Sequence, residues 1–348
     1  MSGYKVYELA EVCSRLSSGK GIPASRISIE GEFPVYGGNG LRGYTDHSNF
    51  AGDCAIIGRQ GAFCGNVRYF KGEAYMTEHA VVVCATPEHN TRYLSYLLST
   101  MNLGRLSGQS AQPGLSVKTL AKQEVKMPPL EIQNRVALVL ALLDEKIELN
   151  NTINENLQQQ AQAIYCDIFI TNANPSWQLG RLSDLIIVRY GKDHKKLADG
   201  IYPVYGSGGI MRYVEKPLYD KESVLIPRKG TLNNVMYVNK PFWSVDTMFF
   251  TEMKLPNVAK FVFHFVKSKD LASLNAGSAV PSMTTDILNA MELSIPDADT
   301  FYKFENIVAP LYQAIQQHTQ ESSKLAELRD SLLPRLMSGE IDVADIDL

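Results

Sequence analysis

Side chains with several hydrogen-bond donors or acceptors recur in glycine-rich stretches of both halves of the sequence. Arginine, lysine, asparagine and glutamine have the geometry needed to contact base edges and phosphate oxygens, and adjacent glycines let the backbone approach a partner closely. These residues are candidates for a nucleic-acid surface in each half. The candidates are Lys20, Asn39, Arg42, Arg59, Gln60, Asn66, Gln109, Ser110 and Gln112 in the first half, and Lys192, Ser207, Arg212, Arg228, Lys229, Asn233, Asn234 and Ser278 in the second.

For any single candidate, an exposed polar loop residue is an alternative interpretation. Repetition strengthens the case for the group. Arg59 and Arg228 occupy the same place in a duplicated stretch, and each is followed two residues later by a glycine, Gly61 and Gly230. We therefore expect these two arginines to share a role at a phosphate or a base.

The sequence lacks the familiar signatures of catalysis. It has no P-loop, no H-E-x-x-H motif and no N-P-P-Y or D-P-P-Y methyltransferase loop, and its six histidines are scattered. A G-x-G-x-x-G pattern occurs at Gly38, Gly40 and Gly43, but neither a following helix nor an acidic ribose partner accompanies it. We predict no catalysis, cofactor or metal in this chain, and a site assembled from distant residues stays open.

The five cysteines form no C-x-x-C pair and have no histidine at metal-ligand spacing, so we interpret them as small buried apolar residues in a reducing compartment. The sequence shows no signal peptide and no apolar run of the roughly 18 residues that a membrane span requires. These observations predict a cytoplasmic protein. The cysteines are Cys13, Cys54, Cys64, Cys84 and Cys166.

An internal repeat organises the chain, because segments of the first half return in the same order and at a nearly constant offset in the second. Each copy begins with short apolar runs separated by Gly, Pro and Asn turns, which predicts a mixed α/β domain. Tyrosines shared by the two copies, Tyr36 with Tyr205 and Tyr44 with Tyr213, favour packing over stacking on bases. The matched segments are FPVYGGNGLRGY (33–44) with YPVYGSGGIMRY (202–213), IGRQG (57–61) with IPRKG (226–230), and SAQPGLS (110–116) with SAVPSMT (278–284).

Each copy then crosses a proline boundary into a helical pattern sustained for roughly ten turns, typical of a coiled coil. Two such helices of about 57 Å each can bury one another most directly as an antiparallel pair, with the two domains related by a pseudo-twofold axis. The expected divisions are domain 1 at 1–130, a central helix at 131–170, domain 2 at 171–298, a C-terminal helix at 299–338 and an acidic tail at 339–348.

The apolar stripes predicted for the two helices comprise Ile132, Val136, Val139, Leu143, Ile147, Leu157, Ile164 and Ile168, and then Phe304, Ile307, Leu311, Ile315, Leu325, Leu328, Leu332 and Leu336. Asn150, Asn151 and Asn154 interrupt the first stripe, either as a poorly packed middle or as a polar pair that fixes the register. Pro334 predicts that the second helix kinks or ends near Leu333.

Charge divides along the same boundaries. The net charge of −3 conceals two domains of +3 each, a central helix of −4 and a C-terminal segment of −5. The slightly basic domains suit DNA, and the acidic helices suit protein partners. The low overall charge also leaves open an alternative, a protein-binding scaffold with two heads held apart by a coiled coil.

The run LRDSLLPRLMSGEIDV at 328–343 resembles the C-terminal signature of the specificity subunits of type I restriction-modification enzymes. The segment SAQPGLSVKTLAKQEVKMPPLEIQNRVA at 110–137 is similar to the stretch that enters their central helix. The order of domain, long helix, domain and long helix is also the plan of that family, so the resemblance covers the whole chain.

The resemblance implies that each domain reads one half of a split DNA site and that the helices fix the gap between the halves. Because the two copies differ outside the shared segments, we expect an asymmetric target. The implied partners are double-stranded DNA, two methylation subunits that use S-adenosylmethionine, and restriction subunits that use ATP and Mg²⁺. We expect the exposed helix faces to dock the methylation subunits, and charge reversal at Glu145 and Glu148 to weaken assembly while each domain stays folded.

Overall fold

The computed structural model describes residues 3–107, 114–274 and 282–343. The chain separates into two compact units, one formed by Met1–Asn150 with Gln320–Leu348 and the other by Asn151–Thr319. Each unit combines a β-rich body with one part of each long helix. The mixed α/β composition and the two long helices are confirmed.

The first body consists of eight strands and two short helices, followed by the first long helix. Their bounds are β1 Lys5–Glu8, β2 Cys13–Ser18, β3 Phe33–Gly37, β4 Gly40–Thr45, β5 Phe50–Gly58, β6 Val67–Met76, β7 Ala80–Ala85, α1 Thr91–Thr100, α2 Val117–Ala121, β8 Glu124–Met127 and α3 Leu130–Cys166. A π-helical turn, Asp167–Thr171, extends α3.

Six strands of the first body form one sheet in the order β2-β7-β5-β6-β3-β4, and all neighbours are antiparallel except β3 with β6. The apolar runs of β5 and β7 are buried on both faces. Ala55 and Ile57 pack with α1 in one core, while Cys54 and Ile56 face a second core on the other side of the sheet. Continuous apolar strands are typical of such two-sided burial.

The second body repeats this plan with more divided sheets and is followed by the second long helix. Its elements are β9 Gln178–Arg181, α4 Leu182–Leu185, β10 Ile186–Tyr190, β11 Tyr202–Gly206, β12 Gly209–Val214, β13 Ser223–Pro227, β14 Met236–Val238, β15 Trp243–Ser244, β16 Met248–Met253, α5 Ala259–Lys267, α6 Thr285–Asn289, β17 Glu292–Ile295 and α7 Ala298–Ser338. A four-stranded sheet, β10-β16-β13-β14, lies beside a three-stranded sheet, β12-β11-β15.

Equivalent elements of the two bodies share local geometry. The hairpins β3–β4 and β11–β12 carry the same irregularity, one residue before Tyr36 and one before Tyr205. Ser116 caps α2 and Thr284 caps α6, in each case by accepting from the backbone N–H three residues on. In each unit a two-stranded ribbon, β1–β8 or β9–β17, leads into the long helix. The internal repeat of the sequence is therefore also a repeat of the structure.

The long helices run antiparallel within each unit. In the first unit Asp144 of α3 accepts from Arg329 of α7 at 2.8 Å. In the second unit Asn154 of α3 donates to Thr319 of α7 at 3.4 Å and contacts His318 at 3.1 Å. The predicted antiparallel pairing is confirmed in both.

The asparagines in the middle of α3 include two buried residues, Asn150 and Asn154, and both are hydrogen-bonded to α7 of their own unit. Asn151, by contrast, is exposed. These contacts favour the interpretation that the polar pair fixes the register over that of a poorly packed middle.

Two details of the second helical stripe were wrong. Ile307 and Leu328 are 49% and 46% exposed, and α7 buries Val308 and Tyr312 instead. The helix also runs through Pro334 to Ser338, so of the two outcomes predicted near Leu333, a kink or an end, the end is wrong. Pro334 removes only one backbone donor, and the turn around it is retained because Leu336 and Met337 pack into the first core.

The cysteines carry no disulfide: all five are free, with Cys54 buried and the other four half-buried. Burial raises the pKa of the thiols of Cys13 and Cys54 to about 12, so these two stay protonated and unreactive at neutral pH. No helix among the described residues combines the length and the apolarity that spanning a membrane requires.

Candidate nucleic-acid interface

A backbone framework holds Lys20 and Lys192 at equivalent places in the two bodies. The N–H of Lys20 donates to the carbonyl of Met76 at 2.9 Å, and that of Lys192 to the carbonyl of Ser244 at 2.8 Å. A Cβ on the preceding glycine, Gly19 or Gly191, would lie 2.0 Å from a backbone carbonyl oxygen. Glycine is required there because the two segments touch.

The same framework holds Arg59 and Arg228. Their N–H groups donate to the carbonyls of His79 at 3.0 Å and Thr247 at 2.9 Å, and their own carbonyls accept from the N–H of Leu115 or Met283 at 2.8 and 2.9 Å. Both arginines are half-buried. The sequence-based expectation that they occupy equivalent positions is confirmed by these four bonds.

The side chains around the two arginines differ. Arg59 reaches Ser18 Oγ at 3.5 Å, whereas the guanidinium of Arg228 lies 5.3 Å from the centre of the Tyr190 ring and donates to the carbonyl of Asp246 at 3.3 Å. Ser18 and Tyr190 each directly precede the framework glycine. One backbone arrangement therefore presents two different chemical surfaces.

The hairpin of the first body brings Asn39 and Arg42 to this region. Both side chains are exposed. A Cβ on Gly38 would lie 3.4 Å from the backbone nitrogen of Arg59, and one on Gly40 would lie 2.7 Å from Nη1 of Arg68. The hairpin tip therefore lies next to Arg59 and Arg68.

The tyrosines of the hairpins have unequal environments. Tyr36 packs against Phe70, with ring centres 5.0 Å apart, and Tyr205 against Phe242, with ring centres 6.2 Å apart. These contacts agree with the expected packing role. Tyr213 is 50% exposed.

Several candidates of the second body are bonded within it. Arg212 donates to Asp199 at 2.7 Å, and Asn234 donates to the carbonyl of Ser207 at 2.7 Å. Asn233 donates to Asp270 at 3.0 Å. These bonds hold loops in place and leave fewer donors for a partner.

The remaining described candidates are exposed: Lys20, Gln60, Asn66, Lys192 and Lys229. Gln60 and Lys229 form single antiparallel bridges with Gly114 and Ser282, again at repeat-equivalent positions. The candidates Gln109, Ser110, Gln112 and Ser278 lie outside the described residues.

Sequence reasoning missed several neighbours of the arginines. In the first body Glu78 Oε1 lies 3.2 Å from His79 Nε2. Glu78 and His79 precede β7, just as Asp246 and Thr247 precede β16 in the second body. The offset of the internal repeat relates the two pairs, and it could have identified them.

A family model described as Type I restriction modification DNA specificity domain matches residues 1–159 and 174–327. The chain belongs to this family. The two matches fall one after the other along the chain, which agrees with the internal repeat of its sequence.

Relatives and a solved structure agree with this assignment. The EcoprrI specificity subunit of Escherichia coli is 41% identical over 145 residues, which cover 40% of this chain and 35% of that protein. The MjaIX specificity subunit of Methanocaldococcus jannaschii is 23% identical over 304 residues, covering 74% and 70%. The crystal structure of a type I restriction-modification S subunit from M. genitalium has the same fold, with a TM-score of 0.66, 19% identity and 96% coverage of both chains.

Proposed function

We propose that this chain directs a type I restriction-modification complex to an asymmetric, bipartite DNA site, with one body reading each half. The observation that carries the proposal is the duplicated framework around Arg59 and Arg228, which keeps the backbone the same and changes the neighbouring side chains. Equivalent scaffolds with unlike side chains are suited to two different half-sequences.

The charge distribution supports the same proposal. Each domain carries +3, the central helix at 131–170 carries −4, and residues 299–348 carry −5, most of it in the acidic tail at 339–348, so the net positive charge that attracts phosphate is confined to the domains. The proposed partners of the helices are two methylation subunits using S-adenosylmethionine, with restriction subunits using ATP and Mg²⁺ completing the complex. We propose no catalysis and no cofactor for this chain itself.

Exposed leucines on α3 suggest where a methylation subunit docks. Leu138, Leu142 and Leu149 are 45%, 50% and 52% exposed, and their spacing of four and seven residues places them on one helix face. Glu145 is a poor probe of docking because it already accepts an ion pair from Arg92 at 2.7 Å. Reversing its charge would also break this contact between body and helix, so weaker assembly in that variant could not be assigned to docking alone.

Binding of the assembled complex to DNA over a series of salt concentrations tests the proposal. We expect affinity for the site that the complex methylates to exceed that for unrelated DNA by at least about 10³-fold, and affinity for both to fall steeply with salt. Equal affinity for all DNA, or none at all, would favour the protein-binding scaffold instead.

A further inference from the structure

A second set of repeated contacts lies where each body packs against the long helices of its own unit. Arg92 of α1 and Lys260 of α5 occupy the same position in the internal repeat, as do Tyr69 and Tyr237. The Arg92 guanidinium lies 4.9 Å from the centre of the Tyr69 ring, and the Lys260 ammonium 5.1 Å from that of Tyr237. The same cation–ring pair is therefore built twice.

Each of these cations also reaches a carboxylate of a long helix. Arg92 donates to Glu145 of α3 at 2.7 Å, and Lys260 donates to Glu305 of α7 at 2.6 Å. Lys260 also donates to Glu222 at 3.0 Å. A charge-assisted bond thus ties body to helix in both units.

An acidic residue of each body accepts a hydrogen bond from the tyrosine of this pair. Tyr69 donates to Asp53 at 3.4 Å, and Tyr237 donates to Glu222. Asp53 and Glu222 are related by the same sequence offset as the two hairpins. Carboxylate, tyrosine and cation therefore recur in the same order.

One helical turn after Arg92 and Lys260, a second pair of repeat-equivalent residues, Tyr96 and His264, contacts the long helices. Tyr96 donates to Asp144 of α3, which also accepts from Arg329 of α7. Its equivalent, His264, contacts Gln162 of α3 at 2.8 Å and Tyr312 of α7 at 2.9 Å.

We call the contact of Arg92 with Glu145 and that of Lys260 with Glu305 the two junctions, and they differ in solvent exposure. The side chains of Lys260 and Glu305 are 6% and 19% exposed, whereas those of Arg92 and Glu145 are 22% and 58% exposed. Apolar packing alone is non-directional, but a cation held between a ring and a carboxylate restricts how a body can rotate on its helices.

We propose that Arg92 with Tyr96, and Lys260 with His264, are positioning residues that fix the direction in which each body faces from its own long helices. This inference rests on the proposed function. Because half-site spacing reflects geometry, a loosened junction widens the range of spacer lengths that the complex methylates, while each body keeps its base preference.

The test uses the complex assembled with its methylation subunits and a pool of DNA in which the half-sites are fixed and the spacer length varies. Wild type and Arg92→Lys, which installs the cation of the other copy, are expected to methylate one spacer length. Arg92→Gln is expected to raise methylation at neighbouring lengths by about three- to fivefold, the scale of a partly exposed ion pair. Tyr96→Phe, which keeps the ring, is expected to act in the same direction.

Three other outcomes would contradict the inference or the proposed function on which it rests. An unchanged spacer profile in both Arg92→Gln and Tyr96→Phe, with native circular dichroism, would overturn the inference. A change in the half-site bases would also overturn it, because the residues would then act in reading. A wild-type complex without any sequence preference would refute the proposed function itself, and this inference with it.

Discussion

Asn150 of α3 and Glu321 of α7 meet inside the first unit, where the Asn150 amide donates to the Glu321 carboxylate at 2.8 Å and Asn150 is 0% exposed. A buried donor with a specific acceptor penalises any slip of one helix along the other. The pair therefore fixes the register of the helices in this unit.

Asn150→Asp removes the donor and sets two carboxylates against each other. We expect the free energy of unfolding to fall by about 2–4 kcal/mol, because the new carboxylate would be buried at a fully buried position beside the carboxylate of Glu321. Denaturant unfolding followed by circular dichroism measures the change. Adding Glu321→Gln supplies a donor from the other side and is expected to recover part of the loss; no recovery would show that the contact does not set the register.

His264 predicts how stability depends on pH. It is 2% exposed, and burial, with a smaller contribution from Lys267, lowers its pKa to about 4. In the unfolded chain the imidazole takes up a proton near pH 6.5, whereas in the folded protein it does so only near pH 4. As the pH falls from 6.5 to 4, the unfolded state therefore binds more protons than the folded state, and the free energy of unfolding decreases by on the order of 3 kcal/mol.

Comparing the free energies of unfolding at pH 7 and pH 5 in wild type and His264→Gln checks this prediction. The variant lacks the titrating ring, so its loss of stability on acidification is expected to be smaller than that of the wild type. An identical loss in the two proteins would exclude His264 as the cause.

Arg59→Gln and Arg228→Gln each test one body. A base contact predicts a loss of about 1–3 kcal/mol for the cognate site and relaxed preference in one half-site only, whereas a phosphate contact predicts uniform weakening and a salt slope lowered by about one. Lys5→Gln, an exposed change in the ribbon strand β1, is the matched control. Variants that bind and discriminate like wild type would remove both arginines from the interface.

Leu142→Lys tests the proposed docking face of α3. Leu142 is half-exposed, so its loss is expected to leave the unit folded and to weaken binding of a methylation subunit about tenfold, the scale of burying half a leucine together with an unpaired charge. Titration calorimetry gives the affinity. Gln158→Lys, an exposed polar change further along α3, is the control, and equal affinities would place the docking surface elsewhere.

Features fixed by local backbone geometry could be predicted from the sequence. The hairpins around Tyr36 and Tyr205 were visible because glycines and a shared turn determine them within a few residues. Ser18 and Tyr190 were not, since they depart from the common repeat offset where the following loops differ in length. Their meeting with Arg59 and Arg228 depends on tertiary contacts.

The helical stripe shows a different limit. A pattern of threes and fours predicts a helix and its approximate face, but it does not say which of two neighbouring apolar residues is buried. In α7 Val308 is buried and Ile307 is exposed, because Val308 belongs to the same core as Phe261 of the second body. Arg92 and Lys260 lie at the repeat offset in the sequence. Because they differ in residue type, their common role becomes visible only in the structure, where each contacts a tyrosine ring and a carboxylate of a long helix.

The central claim is that two unlike bodies on one chain read one split site. Mapping methylated adenines across the DNA of cells that express this chain with its methylation subunits tests it most directly. The account predicts a single motif with two different half-sequences and a fixed spacer, in which Arg59→Gln alters one half and Arg228→Gln the other. A palindromic or unsplit motif, or one whose halves change together in either variant, would contradict it.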